Sequence, residues 1–82
     1  MFKKISLIKS IDEIELNGKE VILIYLGSYQ NRTEYNIRVN DISINDGKFK
    51  GTVKDLGLYS VVGDLKIGDI VTFKEDNIFE IE

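Results

Sequence analysis

The feature that most constrains this chain is the run Val21-Ile22-Leu23-Ile24-Tyr25-Leu26, bracketed by Asn17-Gly18 and Gly27. A strand with one solvated face alternates apolar and polar residues, whereas this run offers apolar side chains to both faces. It predicts a central β-strand covered on both sides, with the remaining residues arranged to cover it. Six residues fall far short of the ~18 that cross a bilayer as a helix.

The flanking segments read as further strands. Ile14 and Leu16 alternate with Glu13 and Glu15, and Asn17-Gly18 tolerates positive φ, so residues 13–26 predict a hairpin with its polar edge strand at 13–16. Residues 3–9 predict a strand, and Ser10-x-x-Glu13 allows one short helical turn near residues 10–14. Tyr35, Ile37 and Val39 share one face. The phase then slips, because the next apolar pair is Ile42 and Ile44, which predicts a bulge or sharp bend at Asn40-Asp41.

Asp46-Gly47 predicts a two-residue turn that puts Ile44 and Phe49 on one face. Beyond it Phe49, Gly51 and Val53 point inward and Lys48, Lys50, Thr52 and Lys54 outward, with Gly51 marking a close backbone approach. Residues 55–69 are a long connection, too apolar for a disordered linker. They either close an end of the fold or present a contact surface. Ile70–Phe73 and 78–82 complete the strands, with a short turn at Glu75-Asp76-Asn77.

Five to seven short strands without a single Pro predict an all-β fold, a small, highly twisted antiparallel barrel or roll of the OB- or SH3-like kind. At 82 residues this is expected to be one domain. With no Cys, burial alone must hold it, and the expected setting is a reducing cytoplasm. Ser6 and Lys9 interrupt the apolar character of the first residues, so no signal peptide is expected there.

From Tyr35 onward the rhythm is Asn36-Ile37-Arg38-Val39, a turn, Phe49-x-Gly51, a loop, then Leu65-Lys66-x-Gly68-Asp69-x-Val71-x-Phe73. In this rhythm residues 35–82 resemble the YegJ-like family of small bacterial β-rich domains, whose function is uncharacterised. The Trp and the Asn-x-Pro usual in that pattern are absent here, and the resemblance carries over no catalytic residues. High Ile, Lys and Asn with no Ala point to an AT-rich genome, and a domain this small would suit a phage or mobile element.

The absence of His and Cys removes the usual general base, the Cys dyads, the Ser–His–Asp triad and the common zinc sites. Glu13/Glu15 and Glu80/Glu82 alternate with apolar residues as solvated strand faces do, and a catalytic carboxylate pair needs a cleft. Asp41–Gly47 imitates the start of a calcium loop. Asp46 stands where that loop needs Gly, and Thr52 where it needs Glu. The glycines at 57, 63 and 68 are too far apart for a phosphate loop. No catalytic residue, cofactor or metal is therefore expected.

Two candidate surfaces remain. Leu58, Tyr59, Val61 and Val62 form an apolar group with one Tyr, the composition of a protein-binding patch. The same group would serve equally as a plug in the end of a barrel. Arg38, Lys48, Lys50 and Lys54, with Tyr29, Tyr35 or Tyr59 nearby, would make a basic face for single-stranded nucleic acid. A solubilising face explains those lysines as well. The net charge of −3, with eight of fourteen acidic groups in residues 42–82, disfavours the second surface. The expectation is a non-catalytic module that binds another protein as adaptor or inhibitor. Single-strand binding is the alternative, and a small ligand at the barrel mouth the third.

Overall fold

The computed structural model describes residues 1–5, 16, 18–27 and 33–82. Seven strands are formed among them: β1 (Val21–Leu26), β2 (Glu34–Asn45), β3 (Lys48–Asp55), β4 (Val61–Val62), β5 (Leu65–Lys66), β6 (Ile70–Phe73) and β7 (Ile78–Ile81). A 3₁₀ turn, Glu75–Asn77, joins the last two. Five strands make one antiparallel sheet in the order β6-β3-β2-β1-β7, and β4 and β5 pair separately.

This order requires a rolled sheet. β6 and β7 lie on opposite edges, which in a flat five-stranded sheet are roughly 19 Å apart at about 4.8 Å per spacing. The four residues between Phe73 and Ile78 reach at most about 18 Å even when fully extended. Three of those four are coiled into the 3₁₀ turn. The edges must therefore curl toward each other, although no ladder joins β6 to β7 among the described residues. The order is a β1-β2-β3 meander whose last strand returns beside the first, a small antiparallel all-β fold as expected.

β2 supplies the bend. Its first half pairs with β1 from Glu34 to Val39, and it pairs with β3 at Arg38–Asn40 and again at Ser43–Asn45. The register shifts between Asn40 and Ser43, where Asp41 takes φ +52°. That is the bulge expected from the phase slip. The β2–β3 turn also forms as expected, with Asp46 and Gly47 both at positive φ and Ile44 opposite Phe49. Gly51 is the predicted close approach, since a Cβ there would collide with Cγ1 of Val39 and come within 3.0 Å of the Asn40 carbonyl.

β1 is central and covered on both faces. Val21 and Leu23 lie in the core cluster with Ile37, Val39, Phe49, Val53, Val71, Phe73 and Ile78, while Ile22 and Ile24 are buried on the other face. Residues 13–15 and 17, which carry most of the first arm and half of the turn of the hairpin expected over residues 13–26, lie outside the described residues. Both edges of β1 are occupied, one by β2 and the other by β7 along Val21–Leu23 and by a bridge from Phe2 to Tyr25. Leu16 is helical, and the Lys19 amide donates to its carbonyl (2.9 Å), with Gly18 at φ +73°. The Lys19–Leu16 hydrogen bond and Gly18 thus turn the chain into β1. Residues 6–15, which carry most of the predicted strand at 3–9 and the helical turn near 10–14, lie outside the described residues.

Candidate functional site

The 55–69 connection both closes the fold and presents a surface. It leaves β3 at Asp55, whose carboxylate accepts the Gly57 amide (2.7 Å), and returns at Asp69, whose carboxylate accepts the Lys66 amide (3.0 Å). It departs from β3 itself, and its returning end is clamped to that strand. The Val53 amide donates to the Asp69 carbonyl (2.9 Å), and the Gly68 amide to the Val53 carbonyl (2.8 Å). Leu56 and Val62 drop into the core, and Leu65 packs against it.

Two tyrosines hold the excursion from below. Tyr25 lies under the Gly63-Asp64 turn of the β4–β5 hairpin, its hydroxyl 3.5 Å from Asp64 Oδ1. Burial, and then the Asp64 charge, push the Tyr25 hydroxyl above the ordinary tyrosine value. Gly63 has φ +61°, and a Cβ there would touch the Tyr25 ring at 3.0–3.3 Å, so the hairpin rests directly on that ring. Tyr35 meets Tyr59 edge to face, with ring centres 5.1 Å apart.

Above these anchors the connection exposes its other apolar side chains. Leu58 is fully exposed, and Tyr59, Val61 and Ile67, with Ile70 just beyond, are 49–62% exposed. Among the described residues eight large apolar side chains are exposed, and these are five of them, the others being Met1, Phe79 and Ile81. Of the expected contact residues, Leu58, Tyr59 and Val61 are therefore on the surface. Val62 is not, at 2% exposed. In a two-residue strand adjacent side chains point oppositely, and Val62 took the inward position. Ile67 and Ile70 were missed by the sequence reading, although Ile70 follows from alternation with the buried Val71.

The basic stripe divides into two groups. Arg38 is paired with Glu82 and with Glu20 (3.5 Å), and Lys54 with Glu20. Glu20 and Glu82 are themselves neighbours through mutual backbone hydrogen bonds beside the β1–β7 ladder. The Lys54 hydrogen bond, then its charge and the Arg38 contact, hold the Glu20 carboxyl below the ordinary value, against some desolvation. Glu82, and then Glu20, raise Arg38; Glu20 raises Lys54. Two cations and two carboxylates sum to no net charge, so this cluster offers a nucleic-acid backbone little. Lys48 and Lys50 stand apart at the β2–β3 hairpin, paired with no described residue.

The aromatic partners expected for nucleic acid are also elsewhere. Phe49 and Phe73, beside those lysines, are buried against each other, and Tyr35 and Tyr59 face one another by the excursion. Tyr29 lies outside the described residues. No described cluster of three metal-ligating side chains exists, and no described titratable side chain is buried. No helix among the described residues is long and apolar enough to cross a membrane. Neither a protein-family model, nor a curated protein, nor a solved structure matches the chain.

Proposed function

We propose that this chain is a non-catalytic binding module that docks on another protein, as adaptor or inhibitor, through Leu58, Tyr59, Val61, Ile67 and Ile70. One observation carries the reading: most of the exposed large apolar side chains among the described residues fall on or beside a single excursion. That excursion is fixed at both ends and from below, so it is presented in one shape. Exposed apolar surface is tolerated singly, but a group held rigid and rimmed by polar residues is typical of interfaces. A rigid loop also loses less conformational entropy on docking. The resemblance of residues 35–82 to YegJ-like domains supplies no site residues, and nothing in this reading rests on it.

The test is capture from host lysate, with and without nuclease, on immobilised wild type and on Tyr59→Asp/Val61→Asp. A discrete protein retained by wild type in both samples and lost by the variant supports the reading. Nucleic acid retained only without nuclease, and released as salt rises, would overturn it in favour of the lysines.

A further inference from the structure

We infer that the outer edge of β6 is a strand-addition site for an extended acidic segment of another protein, read by Lys48, Lys50 and Lys74. β6 ends the sheet, and no described backbone group outside the β3 ladder pairs with it. An open edge is a template for one more strand. A groove of about 530 Å³ runs beside this edge, lined by Thr72, Phe73 and Lys74 with Lys4, Lys48 and Asn77, and with Asp76 as its one carboxylate. It adjoins a second, of about 360 Å³, whose lining of Lys48, Lys50, Ser43, Asn45, Thr72 and Phe49 includes no carboxylate.

The register sets what the added strand must carry. Phe49 pairs with Phe73, Lys50 with Thr72 and Thr52 with Ile70; just past the end of this ladder Lys48 and Lys74 line the same groove. Like charges gathered beside one groove repel. Neither lysine is ion-paired with a described carboxylate, although Asp46, Glu75 and Asp76 line a recess with both, whereas Lys3, Lys4, Arg38 and Lys54 are all ion-paired. A strand laid antiparallel on β6 would place one residue beyond the ladder's end near Lys74, whose own N–H and C=O are both taken by Asn77, the next but one opposite Thr72, and the next but one again opposite Ile70. An acid at the first position relieves the Lys48/Lys74 repulsion. A second acid, about 10 Å or two strand spacings from the Lys50 backbone, is within reach of two long side chains. The third position meets the exposed Ile70 and suits an apolar side chain. The segment thus reads acid-x-acid-x-apolar. A groove beside buried phenylalanines has no exposed ring for base stacking, so its anion is better supplied by carboxylates than by a nucleic acid.

The probe is a soluble peptide built on Glu-Thr-Glu-Thr-Val, titrated into ¹⁵N-labelled protein. Its controls are the Lys-Thr-Lys-Thr-Val counterpart and an oligothymidylate. The glutamate peptide is expected to shift the amides of 70–74 and 48–50 and to slow hydrogen exchange along β6. Lys48→Glu/Lys74→Glu, both fully surface changes, should weaken it by about tenfold or more. Tyr59→Asp/Val61→Asp should leave it unchanged, which separates this site from the excursion. Failure to saturate by about 1 mM, equal binding of the lysine peptide, shifts without slowed exchange at β6, or stronger binding of the oligothymidylate to the same amides would each overturn the inference.

Discussion

Two apolar stretches of this chain, 21–26 and 56–70, meet opposite fates. In β1 every residue from Val21 to Ile24 is buried, because neighbours flank it on both edges and both faces are covered. In the excursion only Leu56 and Val62 are buried, while Leu58, Tyr59, Val61 and Ile67 face solvent. Apolar composition alone therefore does not make core. What separates the two is long-range pairing: β1 has six partners along β2 and three along β7, while the excursion's hairpin has two pairs of its own. The excursion is held by its ends and by a few inward side chains, which leaves the rest available.

That contrast can be broken from the core side first. Leu23→Ala removes a fully buried side chain from β1 and should cost about 3 kcal/mol in urea unfolding. Gly51→Ala forces a methyl against Val39 and the Asn40 carbonyl and should cost about 2 kcal/mol, with amide shifts concentrated at the β2 bulge. Val62→Ala, the equivalent change in the excursion, should cost less, about 1.5 kcal/mol, and speed exchange in the β4–β5 hairpin while β1 stays protected.

The smallest expected effect is electrostatic. The native Glu20 carboxyl titrates below its unfolded value, so its contribution is present above about pH 4.5 and fades as the pH falls through the lower native value. Glu20→Gln should flatten that acid limb of the stability profile and reduce its sensitivity to salt, since Glu20 then no longer neutralises Arg38 and Lys54.

Much of the sheet was legible because its signals are local. The two-sided run of β1, the phase slip at Asn40-Asp41, the Asp46-Gly47 turn and the inward row Phe49, Gly51, Val53 each follow from neighbours in sequence. The second neighbour of β1 was not legible for the same reason. Asn17-Gly18 announces a reversal but not which strand will lie beside β1, and β7, nearly sixty residues later, took that edge. The excursion's surface was half legible: Val61-Val62 contains no alternation to say which side chain turns in. The basic stripe was the least legible, because Glu20 and Glu82, which neutralise Arg38 and Lys54, are far from them in sequence.

The most direct test is the urea-unfolding stability of Leu58→Asp/Val61→Asp beside that of Leu23→Ala. If the excursion is a presented surface, the double aspartate variant stays within about 1 kcal/mol of wild type, as surface changes do. A loss of about 3 kcal/mol, matching Leu23→Ala, would mean that these side chains are core and that the chain has no apolar docking surface there.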